Sequence, residues 1–147
     1  FLSVGFIGHS SSIALGIVLN KPDKRVWCID GDGALLMHMG SIGVIAAKSP
    51  KNYVHVVINN SAHESVGGMP TVVGKMDLAQ IALGCGYRYV YSIDSLDELD
   101  DVLANLTGGP VFIEIKSAIG SRADLGRPTT TPAENKKAFM TYLEECD

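Results

Sequence analysis

Residues 26–60 read VWCIDGDGALLMHMGSIGVIAAKSPKNYVHVVINN, and this stretch decides the fold. Val26-Trp27-Cys28-Ile29 and Val54-His55-Val56-Val57-Ile58 are near-continuous apolar runs of strand length, each closed by polar or turn residues. Strands buried on both faces of a parallel sheet read this way. Between them, Leu36, Met39, Ile42, Ile45 and Ala46 recur at helical spacing within Leu35 to Lys48. The segment predicts strand, turn, helix, strand, and a right-handed crossover lays the two strands in one sheet. Asp32 and Asn60 then emerge together at the carboxyl edge, where open α/β sheets bind ligands.

The chemistry of that edge follows from its residue types. Mg2+ wants hard oxygen ligands and takes one or two carboxylates while phosphates and water fill the other positions, so one carboxylate and one amide oxygen suit it. Gly31 and Gly33 let the backbone turn tightly and approach a ligand. The amides of Gly33 and Ala34 open the following helix and favour an anion such as diphosphate. An Asp-Gly pair alone also reads as a plain turn, and Asn-Asn as a polar loop. Joined at this spacing, each after an apolar strand, they describe a cation and diphosphate site.

Outside this unit the elements alternate. Ser10 to Leu19, apolar at Ile13, Ala14, Ile17 and Val18, predicts a helix with Ser10 or Ser11 as N-cap. Phe1 to Val4 reads as a short first strand, Asp77 to Cys85 as a helix, and Tyr87 to Ile93 and Val111 to Ile115 as strands. Ser95-Leu96-Asp97-Glu98 and Thr131-Pro132-Ala133-Glu134 are capping boxes, opening one helix to about Leu106 and another to the C-terminus. The expected fold class is α/β, a parallel sheet with helices on both faces, in a single domain over 1–147. Ser61 to Lys75 and Ser117 to Thr130 read as long irregular loops on the ligand edge, and loops of that length are commonly functional.

Composition narrows the function classes. A chain of 147 residues, 46% hydrophobic and 19% charged, can bury one sizeable core. A net charge of -4 with no basic run argues against nucleic acid as a partner. No apolar run reaches membrane-spanning length, so no membrane partner is expected. Cys28, Cys85 and Cys146 lack a metal-like spacing, two of them read as buried, and scattered thiols fit a cytoplasmic protein.

On these motifs the chain resembles the thiamine diphosphate enzyme superfamily, whose cofactor signature is Gly-Asp-Gly followed at about this distance by Asn-Asn. The resemblance implies a thiamine diphosphate-binding fold with thiamine diphosphate and Mg2+ as cofactors. Asp32, Asn60 and the carbonyl of Ala62 are then the metal ligands. Within the superfamily, Asn59-Asn60-Ser61-Ala62-His63-Glu64-Ser65-Val66-Gly67-Gly68-Met69-Pro70-Thr71 is similar to phosphonopyruvate decarboxylases. So are Gly8-His9, Leu36-Met37-His38-Met39-Gly40 and residues Gly120 to Thr131, so the likeness spans almost the whole chain. Sulfopyruvate decarboxylases share the Gly-Gly-x-Pro-Thr stretch and are the nearest competitor, with other 2-oxo acid decarboxylases behind them.

The resemblance also implies roles. Ile7 props the cofactor in its bent form, at a position where related decarboxylases often carry Met, and the carbonyl of Gly5 accepts from the aminopyrimidine. His63 lies three residues past a metal ligand, and histidine is the residue type suited to proton transfer near neutral pH, so it reads as a proton donor or substrate contact, or else as a loop histidine that caps backbone groups or faces water. Arg122 and Arg127 read as forks for a dianionic phosphonate or as partners of acidic residues that pin the tail. Glu64 reads as an exposed or structurally paired carboxylate, His9 as facing the diphosphate at a helix start or as locally hydrogen-bonded, His38 and His55 as satisfied or solvated, and Lys75 as solvated.

In that superfamily a glutamate on a pyrimidine-binding domain activates the cofactor, and this chain has no room for a second domain. The resemblance therefore implies the C-terminal part of a longer, homo-oligomeric enzyme of phosphonate biosynthesis acting on a small 2-oxo acid. Its site is completed by a missing N-terminal half or another subunit. From a different class stands a non-catalytic α/β binding module in which both clusters are only turns.

Overall fold

The computed structural model describes residues 7–126 and 128–145. The strand expected at Phe1 to Val4 lies outside them, as do Gly5, Arg127 and Cys146. The described strands are β1 (Val26–Gly31), β2 (Tyr53–Asn59), β3 (Ala62–His63), β4 (Met69–Pro70), β5 (Tyr89–Ile93) and β6 (Val111–Lys116). The helices are α1 (Ser10–Asn20), α2 (Asp32–Met37), α3 (Gly40–Lys48), α4 (Leu78–Cys85), α5 (Leu96–Ala104) and α6 (Pro132–Glu145).

A four-stranded sheet in the order β1-β2-β6-β5, parallel throughout, forms the frame. The expected parallel α/β class is therefore what the chain adopts, with β1 and β2 as neighbours; β1, expected to be buried on both faces, is covered on one, since α5 packs toward β5 and leaves Trp27 and Ile29 44% and 70% exposed. Strand alternation splits the core in two. Cys28, Tyr53, Val57 and Phe112 point to a face covered by α1, α3 and α4 through Leu15, Val18, Ile42, Ile45, Leu78 and Ala82. Val54, Val56, Val111 and Ile113 point to the other, where Leu99 and Val102 of α5 pack. Connections moving one way across the sheet use the first face and the return through α5 uses the second, as right-handed crossovers require.

Where the elements differ from expectation, a local contact explains it. The helix expected over Leu35 to Lys48 is two helices, interrupted where His38 leaves helical geometry (φ -136°, ψ 41°) and its ring meets that of His9 at 4.0 Å, tilted by 50°. The break lets α2 begin at the sheet edge while α3 lies flat on the core with Ile42 and Ile45 fully buried. His9, not Ser10 or Ser11, is the N-cap of α1, because the buried Ser11 hydroxyl donates to Ser41 Oγ on α3 at 2.9 Å. The capping box at Thr131 is reciprocal, with Thr131 N to Glu134 Oε2 at 2.8 Å and Glu134 N to Thr131 Oγ1 at 3.2 Å. The other is displaced: Ser95 Oγ accepts from Glu98 N, but Glu98 reaches back to the amide of Asp94. Among the described residues no helix is long and apolar enough to cross a membrane.

Of the thiols, Cys28 is buried and Cys85 is exposed. Burial, reinforced by the nearby Asp30, pushes the Cys28 thiol up to about 11. At pH 8 it is then protonated in all but roughly one molecule in a thousand, and the protonated form is unreactive. Maleimide at pH 8 is expected to label Cys85 in the folded protein and Cys28 only after unfolding, as read by peptide mass mapping. Labelling of both at equal rates would contradict the buried placement.

Candidate functional site

The carboxyl edge of β1 and β2 carries the site. Gly31 ends β1 in extended geometry and caps α2, so Asp32, Gly33 and Ala34 are the first helical residues, whose amides lack intrahelical partners. Asp32 is buried, and its Oδ2 accepts a 2.6 Å hydrogen bond from Thr71 Oγ1. Thr71 reaches it because the stretch Ser61 to Lys75 is not the irregular loop expected. β3 and β4 pair as a short antiparallel hairpin, Thr71 N donates to Ser61 O at 2.9 Å, and a 3-10 turn over Val72–Lys75 follows.

The two asparagines part company at the end of β2. Asn59 stays in the sheet: its amide donates to Glu114 Oε1 at 2.7 Å, and its Oδ1 accepts from Ser61 N at 3.0 Å. Glu114 is buried and also takes Ser92 Oγ at 2.9 Å, so Asn59 ties the loop to β6 and β5. Asn60 points to the edge, where its Oδ1 accepts from Ala62 N at 3.0 Å and its amide donates to Glu64 Oε2. Glu64 Oε1 in turn accepts from Gly120 N at 2.8 Å, pinning the second loop to the first. Ser61 between them sits in the left-handed region (φ 57°), a conformation a serine rarely adopts.

Ala62 faces Pro70 across the hairpin. Since Ser61 and Thr71 share a ladder hydrogen bond, alternation makes Ala62 and Pro70 a non-hydrogen-bonded pair. Proline costs nothing there, and the Ala62 carbonyl turns away from β4 and remains available to a ligand. His63 packs over the start of α2, and only glycine fits beneath it: a Cβ on Gly33 would lie 2.4 Å from His63 Nδ1.

These residues share one cavity of about 210 Å³, lined by Ile7, Gly31, Asp32, Gly33, Ala34, Asn60, Ala62 and His63. The structure thus brings together every expected site residue it describes except Arg122. That guanidinium lies 3.3 Å from Asp124, both side chains being exposed, and it does not line the cavity. Gly5 and Arg127 lie outside the described residues. Thr71 and Asn59 escaped the sequence reading as positioning groups. A threonine closing a hairpin carries no local sign that it will meet a carboxylate 39 positions away.

The donor set fits a hard cation. A buried carboxylate with one neutral partner, an amide oxygen with a spare lone pair and a carbonyl turned away from β4 are all oxygen ligands, and the first-turn amides, which lack intrahelical partners, suit a phosphate beside them. Thr71→Val removes the donor that holds the Asp32 carboxylate. It is expected to weaken divalent-cation binding at this cavity about tenfold, the scale of a lost hydrogen bond to a charged group, with Thr71→Ser close to wild type. Calorimetric titration with Mg2+ measures this.

Residues 2–115 match the family described as thiamine pyrophosphate enzyme, C-terminal TPP binding domain. The phosphonopyruvate decarboxylases of Streptomyces viridochromogenes and Streptomyces hygroscopicus are each 40% identical to the chain, over 97% and 99% of it and 36% of each relative. The sulfopyruvate decarboxylase subunit beta of Methanocaldococcus jannaschii is 44% identical over 71% of this chain and 55% of its own length. A solved structure of a Mycobacterium smegmatis protein, taken there to be a thiamin diphosphate-dependent enzyme, superposes with a TM-score of 0.59 at 26% identity, covering 80% of this chain and 23% of that one. The chain spans about a third of the length of the phosphonopyruvate decarboxylases it matches. It belongs to the thiamine pyrophosphate enzyme family, through the C-terminal TPP-binding domain.

Proposed function

We propose that this member of the thiamine pyrophosphate enzyme family holds the diphosphate and Mg2+ of thiamine diphosphate in a cytoplasmic 2-oxo acid decarboxylase. The substrate is phosphonopyruvate, converted to phosphonoacetaldehyde and CO2. The observation that carries the reading is the convergence of Asp32, Asn60, Ala62, whose carbonyl turns away from β4, and the first turn of α2 on one cavity. The two phosphonopyruvate decarboxylases at 40% identity over 97% and 99% of the chain support the substrate.

When bound, the cofactor supplies a thiazolium carbon that adds to the keto carbon and a ring that accepts the electrons released with CO2. The chain's part is positioning. Asp32, Asn60 and the Ala62 carbonyl hold the cation, the amides of Gly33 and Ala34 face the diphosphate, and Ile7 props the cofactor from the cavity wall. By resemblance the Gly5 carbonyl accepts from the aminopyrimidine. His63, over the start of α2, holds the proton required at the product carbon. Arg122 serves the phosphonate only once it leaves Asp124, and Arg127 is the second candidate cation.

The chain is a single diphosphate-binding domain, and a pyrimidine-binding domain from the rest of a longer polypeptide or from another subunit completes the site in a homo-oligomer. The 36% coverage of the phosphonopyruvate decarboxylases and the "subunit beta" in the names of other relatives both support a complementary part outside this chain. Sulfopyruvate is the second reading, favoured by the 44% identity to the archaeal subunit.

Aldehyde release from phosphonopyruvate, sulfopyruvate and pyruvate, measured with the completed enzyme, Mg2+ and thiamine diphosphate, is the test. Phosphonopyruvate is expected to give the highest kcat/KM. A preference for sulfopyruvate would transfer the assignment, and absence of Mg2+-dependent cofactor binding would leave a non-catalytic α/β module.

A further inference from the structure

Cys28, Asp30 and His55 are buried groups that the cofactor site does not use, and the sheet itself brings them together. Cys28 and Asp30 lie two positions apart on β1 and so share a face, and Cys28 is the register partner of His55 on β2. One ligand atom from each, a thiol sulfur, a carboxylate oxygen and a ring nitrogen, lies within 4.8 Å of the other two. His55 is fully buried and Asp30 is 7% exposed.

His55 Nδ1 is engaged with the Tyr87 hydroxyl at 3.3 Å, which leaves Nε2 facing Asp30 Oδ2 across 3.7 Å. Neither of those two atoms makes a hydrogen bond among the described residues. The separation is too long for a hydrogen bond. It is close to the edge of a tetrahedron, because ligands at about 2.0–2.3 Å from Zn2+ stand about 3.3–3.8 Å from one another. Two buried polar atoms without a hydrogen-bond partner, facing each other beside a thiol, have the spacing that a shared cation would satisfy.

We propose that Cys28, Asp30 and His55 form a second metal site that takes Zn2+ as a structural ion, distinct from the oxygen-only Mg2+ site. Thiolate, imidazole and carboxylate together suit zinc and not magnesium. Tyr87 sets the histidine, since an Nδ1–H donated to its oxygen puts the lone pair on Nε2. The fourth position takes water, which reaches the cluster from a cavity of about 660 Å³ lined by Ser10, Ile13, Ile17, Cys28 and Asp30. Binding forms the zinc–sulfur bond as the Cys28 proton leaves to solvent. Asp30 Oδ1 also accepts from Gly31 N at 3.1 Å, so the ion would brace the turn that presents Asp32.

Co2+ added to the chelator-stripped completed enzyme reports the site directly. The expected result is uptake of one ion per chain with a thiolate-to-cobalt charge-transfer band, displaced by Zn2+, and a higher melting temperature with Zn2+. Cys28→Ser should abolish the band and His55→Gln should weaken binding at least tenfold. Cys85→Ser and Asp32→Ala should retain it, the latter separating this ion from the cofactor's metal. X-ray absorption on the wild-type zinc form, expecting one sulfur and three nitrogen or oxygen ligands, decides the matter even where a variant fails to fold. No stoichiometric uptake, a shell without sulfur, or a band that survives Cys28→Ser in folded protein would overturn the proposal.

Discussion

Asp32→Asn is expected to weaken Mg2+-dependent thiamine diphosphate binding by on the order of 10³-fold or more, while leaving the thermal stability of the cofactor-free protein unchanged or higher. The two effects separate because of where the carboxylate sits. It is 2% exposed and accepts one 2.6 Å bond from a neutral hydroxyl, Thr71 Oγ1. A buried carboxylate with so little compensation costs the fold free energy until a cation arrives. Asparagine accepts the same Thr71 bond without the charge, so the fold loses nothing. The cation loses its anionic ligand, a larger loss than the roughly 10–100-fold that follows removal of an outer partner. Asn60→Ala should act in the same direction, with an added loosening of the Ser61 turn. Calorimetric titration with Mg2+ and thermal unfolding without it measure both halves. Retained binding in Asp32→Asn would remove Asp32 from the metal site, and a large loss of stability would show that the residue holds the fold instead.

Much of this geometry was legible because parallel strands announce themselves. Val54 to Ile58 is apolar on both faces since both faces are covered, whereas Trp27 and Ile29 of β1 are 44% and 70% exposed; both apolar runs still mark the strand ends, and with them Asp32 and Asn60. What could not be read depends on pairing between distant segments. The two-residue strands β3 and β4 are too short to show an alternation, so the loop's hairpin and the bond from Thr71 to Asp32 stayed hidden. Cys28, Asp30 and His55 look scattered along the chain, and only the register of β1 against β2 makes them neighbours. The break at His38 rests on a ring contact with His9, which periodicity cannot express. Arg122 shows the opposite failure: chemical suitability for a phosphonate did not place it in the cavity.

Gly33→Ala carries the second large effect, an expected loss of about 10²-fold or more in kcat/KM with only a small change in stability. A Cβ at this position would lie 2.4 Å from His63 Nδ1 and 2.7 Å from Cε1, closer than real contacts allow. One side must move. The helix start is fixed by the buried Asp32 and Leu35, whereas His63 leads into the exposed turn Glu64–Val66, so the histidine and its segment yield. Alanine is otherwise favoured over glycine in a helix by up to about 1 kcal/mol, which offsets part of the local cost. Activity has no such offset, because moving His63 drags the Ala62 carbonyl and the Asn60 side chain bonded to Ala62 N, and a misplacement of about 1 Å costs on the order of 10²-fold. Gly43→Ala in α3, where an added Cβ meets nothing within 4 Å, is the control and should gain roughly 0.5–1 kcal/mol with unchanged kinetics. The pairing with His63→Ala makes the argument specific. If the whole effect passes through the ring, adding Gly33→Ala to His63→Ala costs almost nothing further, a strong departure from additivity. If the double variant instead loses the full product of the two single effects, Gly33 acts on the diphosphate directly and the contact with His63 is incidental.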